Sequence, residues 1–181
     1  MEKKKLIIFF DSGDTLIDEG TEIRNEKNIV ISAGAIPGSV KTLQTLFEKG
    51  YRMVLVADGD IQSFQNSLSQ NNMYDYFTAI ICSELIGEQK PSPCMFKAAM
   101  GALNLGEKDC KRIVMVGNNL ARDIKGANQM GFTSVFLDWS PRYSKCPKDQ
   151  LEIPDYIIHT PTELIDLADK IEGKYNETVC R

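Results

Sequence analysis

Phe9-Phe10-Asp11-Ser12-Gly13-Asp14-Thr15-Leu16 ends an apolar run that begins at Leu6 and stops at an aspartate. Two small residues, a second acid and a threonine follow. A short apolar run bounded by turn residues reads as a strand buried on both faces, the unit of a parallel sheet. In open parallel sheets ligands bind outside the carboxyl ends of the strands, so Asp11 stands where chemistry is carried out. The stretch by itself fits two readings, a catalytic carboxylate site or a well-made turn.

The rest of the chain repeats the pattern. Strands are predicted near 6–10, 52–57, 79–82, 112–117, 133–138 and 156–159, with helices near 38–49, 60–70, 93–104, 120–129 and 162–172. Such alternation predicts an α/β fold, a three-layer Rossmann-like parallel sheet flanked by helices. Gly50, Gly106 and Gly131 each fall between a helix and a strand, where a glycine stops a helix. Residues 17–37 are too polar for a buried helix, and Asn28-Ile29-Val30-Ile31 reads as one arm of a hairpin, a flap over the sheet edge. Residues 139–155, with Pro141, Pro147 and Pro154, read as a loop. The expectation is a single domain over 1–174 and a frayed tail over 175–181.

Composition narrows the function classes. With 181 residues, 43% of them hydrophobic, the chain can bury one sizeable core. A formal net charge of -4 argues against a general affinity for nucleic acid or for an anionic membrane surface. Small molecules or proteins are the expected partners. The five cysteines are odd in number and form no Cys-x-x-Cys pair, which points to reduced thiols in a cytoplasmic protein. The run Leu6 to Phe10 is too short to serve as an export signal, and no segment is long enough to span a bilayer.

The residues leaving the predicted strand ends are Asp11, Asp58, Glu84 and the run Gly117-Asn118-Asn119-Leu120-Ala121-Arg122-Asp123, with Lys90 in the turn Gly87 to Pro93. Carboxylates, amides and a lysine on one edge suit phosphoryl transfer through an aspartyl-phosphate. A carboxylate attacks phosphorus, Mg²⁺ neutralises the phosphoryl and carboxylate oxygens, and the lysine supplies further positive charge. Mg²⁺ keeps several waters, so two or three protein oxygens suffice to hold it.

In this order the motifs resemble those of the haloacid dehalogenase superfamily. The likeness runs through nearly the whole chain, including Lys90-Pro91-x-Pro93-x-x-Phe96, Gly126-Ala127-Asn128-x-x-Gly131 and Pro154-Asp155-Tyr156-Ile157-Ile158. It separates the chain from receiver domains, in which the phosphorylated aspartate follows the third strand. The resemblance implies that Asp11 is the nucleophile and a metal ligand, that the Gly13 carbonyl and Asn118 reach Mg²⁺ directly, and that Asp123 holds metal-bound water. Lys90 would steady Asp11 and the phosphoryl group.

Three positions depart from the family pattern. Gly13 stands where family phosphatases carry the acid that protonates the leaving group. Ala57 replaces a phosphate-binding Ser or Thr, leaving the Asp58 and Gly59 amides to take over. Asn118 replaces an aspartate. Asp14 occupies a glycine position and fits two roles, a turn former or a replacement acid. Neither gap that holds a cap domain in the family is long enough here, so the expected site is capless and open. By resemblance that suits a macromolecular or extended substrate, or a homo-oligomer whose neighbour covers the site; the expected partner is a phosphorylated small molecule or macromolecule. The leading expectation is a Mg²⁺-dependent phosphatase of reduced activity; the alternative is a silent relative that binds a phosphorylated ligand or a protein partner. His159 and Cys82 are expected to be structural, and Trp139, Arg142 and Tyr143 fit either packing or substrate contact.

Overall fold

The computed structural model describes residues 6–179. In chain order its elements are β1 (Ile7–Phe10), β2 (Ile23–Arg24), β3 (Val30–Ser32), α1 (Ser39–Glu48), β4 (Arg52–Ala57), α2 (Ile61–Gln70), β5 (Phe77–Cys82), α3 (Ser83–Ile86), α4 (Pro93–Ala102), β6 (Ile113–Gly117), α5 (Lys125–Met130), β7 (Thr133–Leu137), β8 (Tyr156–Ile158) and α6 (Glu163–Val179). Six strands form one parallel sheet in the order β5-β4-β1-β6-β7-β8, and β2 and β3 pair separately as an antiparallel hairpin. β1 is central, with Phe10 in register with Leu55 of β4 on one side and Val116 of β6 on the other. The chain builds outward from β1 through β4 and β5, then crosses to begin again at β6. This reversal opens a crevice at the carboxyl end of β1, the place where such sheets bind ligands.

Both faces of the sheet are covered, which is why the strands read as unbroken apolar runs. Ile8 and Phe10 point into a core shared with Leu43 and Leu46 of α1, Leu68 of α2 and Leu164 and Ala168 of α6. Ile7 and Phe9 point the other way, onto Met95, Phe96 and Ala99 of α4 and Ala127 of α5. The second layer is close-packed at Gly126, where a Cβ would overlap the Phe96 ring. Alanine gains up to ~1 kcal/mol in helix propensity over glycine, but overpacking a filled core costs about 1–3 kcal/mol. Gly126→Ala is therefore expected to lower the thermal midpoint by a few degrees, as read by circular dichroism.

Three local expectations are corrected. The predicted tail is helical as far as Val179, because Tyr175 extends the apolar face of Leu164, Ala168 and Ile171 onto the core. Glu172 of the same helix accepts the Leu6 N–H at 2.9 Å. Cys180 and Arg181 lie outside the described residues. Gly106 does not stop α4; Asn104 does, with φ +55°, while the Leu105 N–H closes on the Met100 carbonyl at 2.9 Å. The predicted helix over 120–129 begins as a π-helical turn, Leu120–Ile124, before continuing as α5.

The flap is a hairpin, but it docks on α2. The Val30 N–H donates to Ser63 Oγ at 3.0 Å and Asn66 Nδ2 donates to the Val30 carbonyl at 2.8 Å, so side chains of a neighbouring helix satisfy its backbone. Among the described residues, the two gaps hold only this hairpin, a short 3₁₀ turn (Glu19–Thr21) and α1, then α2, a second 3₁₀ turn (Tyr74–Tyr76), β5 and α3. No helix among them is long and apolar enough to cross a membrane.

Candidate active site

The strand order brings together what the sequence separates. Asp11 leaves β1, Asp58 leaves β4, Asn118 leaves β6, and all three line one cavity of about 140 Å³. Lys90 reaches its floor from the turn before α4. Its Nζ donates to Asp11 Oδ1 at 2.6 Å, to Asp123 Oδ1 at 2.6 Å and to the Val56 carbonyl at 2.8 Å, so each of its three donors has a partner. The side chains of Lys90 and Asp123 are 2% and 1% exposed. Desolvation alone would lower the Lys90 pKa, but the charges of Asp11, Asp123 and Asp58 outweigh it and raise it, so Lys90 is held protonated. Burial pushes the Asp123 carboxyl up, Lys90 pulls it down and Asp11 pushes it up again.

With Oδ1 bound to Lys90, Asp11 keeps Oδ2, whose hydrogen-bond contact is the Thr15 hydroxyl at 3.5 Å. Asp123 approaches so closely because residue 117 is glycine: a Cβ there would lie 2.5 Å from Asp123 Cβ and overlap the carboxylate. Its second oxygen accepts the Asn119 N–H at 3.0 Å.

Asp11, Gly13, Asn118 and Asp123, the residues expected to supply oxygens to a small hard cation, all line this cavity. Asn118 lines the cavity, is 5% exposed, and its buried Nδ2 has no hydrogen-bond partner. A half-turn of the amide exchanges its nitrogen and oxygen. Among the described residues no three His, Cys, Asp or Glu side chains cluster as a metal site.

Other predicted residues take different roles. Asp58 is a scaffold: one oxygen accepts the Lys90 N–H at 2.9 Å and the other lies 3.4 Å from Arg122 Nη1. The Gly59 N–H, expected to bind phosphate beside Ala57, is already given to Ser83 Oγ at 2.9 Å. Glu84 accepts the Ile61 N–H at 2.9 Å and so holds the start of α2, outside the cavity. Cys82 is fully buried. His159 is exposed beyond β8, 3.7 Å from Asp138.

Of its two expected roles Asp14 takes that of turn former, and its place among the catalytic candidates with Asp11 and Lys90 is not supported, since it does not line the cavity. It adopts φ +49°, the left-handed turn an aspartate tolerates, and is fully buried. Its Oδ2 accepts from Ser140 Oγ and Arg142 Nε, both at 2.6 Å, and its Oδ1 accepts the Glu19 N–H at 3.1 Å. It faces away from the cavity, because the loop after β7 brings a guanidinium and a hydroxyl behind the turn.

The sequence reading missed Glu19. This side chain lines the cavity, with Oε2 3.1 Å from Arg142 Nε. Burial, reinforced by Asp14, pushes its carboxyl up to about 7 against the pull of Arg142. The only sequence signal was an acid in the flap close behind a motif that lacks one. Arg24, Arg122 and Tyr143 also line the cavity, and the flap contributes Glu22, Arg24 and Val30 to one of its walls.

The chain is 28% identical over 142 residues to a glyceraldehyde 3-phosphate phosphatase of Pyrococcus furiosus, covering 78% of this chain and 58% of that protein. It is 32% identical over 132 residues to the glyceraldehyde 3-phosphate phosphatase of Methanopyrus kandleri, covering 73% of this chain and 55% of the other. It thus spans little more than half the length of these relatives. Among solved structures, the putative HAD-hydrolase YfnB from Bacillus subtilis, bound to magnesium, superposes with a TM-score of 0.73 at 16% identity, over 92% of this chain and 100% of that one. A family model described as haloacid dehalogenase-like hydrolase matches residues 8–137, from β1 to the end of β7, and the chain belongs to that family.

Proposed function

We propose that the protein is a Mg²⁺-dependent phosphatase that hydrolyses a small phosphate ester through an aspartyl-phosphate on Asp11. The observation that carries this is the Lys90 bridge between Asp11 and Asp123, which aims a carboxylate into a confined cavity bordered by Arg24 and Arg122. Asp11 Oδ2 forms the new bond to phosphorus as the ester P–O bond breaks. Water then attacks phosphorus, the bond to Asp11 breaks, and inorganic phosphate leaves. Lys90 keeps its charge throughout and holds Asp11 in line. Mg²⁺, held by Asp11, Gly13, Asn118 and Asp123, would neutralise charge on the phosphoryl oxygens.

A cavity of about 140 Å³ lies below the ~300–1,000 Å³ of drug-sized ligand sites. That favours a compact ester over a macromolecule, in keeping with the substrate named for both archaeal relatives. The test is phosphate release from a panel of esters that includes glyceraldehyde 3-phosphate, with Mg²⁺ or with chelator. Release is expected with Mg²⁺ alone and should vanish in Asp11→Asn. Equal, background-level release from both chains would overturn this reading and favour the silent, ligand-binding alternative.

Asn118 makes a separate prediction. A further unit charge a few ångströms from the cation is worth more than ~1.4 kcal/mol even at an effective dielectric near 20. Asn118→Asp should therefore lower the half-saturating Mg²⁺ concentration at least about tenfold, as read by calorimetric titration.

A further inference from the structure

The acid missing at position 13 leaves a space, and another carboxyl fills it. A Cβ built on Gly13 would lie 2.8 Å from Glu19 Cδ and 2.9 Å from Glu19 Cγ, and would collide with Oε1. Gly13 and Glu19 line the same cavity as Asp11, and the Glu19 side chain is 28% exposed. From these positions, and resting on the phosphatase reading above, we propose that Glu19 is the general acid and base of this site, replacing the carboxyl that Gly13 lacks.

The device is built from both departures in Asp11-Ser12-Gly13-Asp14. Gly13 clears the volume and Asp14 anchors the segment that fills it. Asp14 Oδ1 accepts the Glu19 N–H, while Arg142, held on Asp14 Oδ2, also contacts Glu19 Oε2. Asp18 caps the 3₁₀ turn that begins at Glu19 by accepting the Gly20 N–H at 2.8 Å. With Oε2 taken by Arg142, Oε1 is the oxygen that projects over Gly13. In the first step the proton on Oε1 passes to the ester oxygen as the P–O bond breaks, releasing an alcohol and leaving Asp11 phosphorylated. In the second, Oε1 takes a proton from the attacking water as the bond between phosphorus and Asp11 breaks. Inorganic phosphate leaves and Glu19 is again protonated. Asp14 and Arg142 are positioning residues for this cycle.

The test compares two esters in Glu19→Gln. An alkyl phosphate needs a proton on its leaving oxygen and should lose about 10²–10⁴-fold in turnover. p-Nitrophenyl phosphate needs none, so its pre-steady-state burst of nitrophenolate should persist while the later hydrolysis slows. The second variant pair is Glu19→Ala alone and with Gly13→Asp, in which the family acid enters the vacated space; the double variant should recover at least tenfold over Glu19→Ala on the alkyl ester. Gly13→Asp alone should gain nothing, since Glu19 blocks the side chain. Equal effects of Glu19→Gln on the burst and on alkyl ester turnover, or no recovery in the double variant, would overturn the proposal. Failure of the phosphatase reading itself looks different: the unmodified chain would release no phosphate from either ester.

Discussion

Lys90→Met is expected to remove activity and a large part of the stability together. Methionine fills a similar volume but supplies none of the three hydrogen bonds that Lys90 Nζ makes to Asp11, Asp123 and Val56. Two carboxylates, 13% and 1% exposed, then face each other without the buried charge that pairs them. Deleting one partner of a buried ion pair costs about 3–5 kcal/mol, since the charge left behind stays desolvated. Turnover should fall at least ~10²-fold, the scale for losing one preorganised electrostatic donor. Denaturant unfolding measures the first effect, and phosphate release under conditions where the variant remains folded measures the second. A variant within 1 kcal/mol of the parent would show that the Asp11-Lys90-Asp123 bridge does not stabilise the fold.

Gly117→Ala probes the same centre without changing a charge. The added methyl would overlap the Asp123 carboxylate, which is fixed from both sides by Lys90 and by the Asn119 N–H. Because it cannot move without breaking one of these bonds, the strain should cost about 1–3 kcal/mol. Displacing Asp123 also releases Lys90 from one of its two carboxylates, and a misplacement of this order can reduce turnover by ~10²-fold. Unfolding and Mg²⁺-dependent phosphate release are again the measurements. Unchanged stability and activity would mean that the added methyl is accommodated without displacing Asp123 from Lys90.

Much of this was legible in the chain. Leu6 to Phe10, Met53 to Ala57 and Ile113 to Val116 are apolar without alternation because helices cover both faces, so their strand character follows from composition alone. The strand-end rule then picked out Asp11, Asp58 and the run that holds Asn118 and Asp123, with Lys90 in the turn after the third predicted strand. The rule also picked out Glu84, which holds the start of α2 instead, because an acid at a strand end serves a helix N-terminus as readily as a ligand.

Asp14 and Glu19 mark the boundary of what local sequence can show. Asp14 was recognised as an acid able to occupy a left-handed turn, and it does so, but its side-chain direction is set by Ser140 and Arg142, more than a hundred residues along the chain. Glu19 looked like an ordinary polar flap residue until Asp14 pinned its backbone and Gly13 left it room. The sequence by itself determined the parallel sheet and the residues at its carboxyl edge, because strand periodicity and residue chemistry are local properties. Only the tertiary structure decided which of two nearby acids enters the cavity, because that choice depends on groups brought together by β1 and the loop after β7.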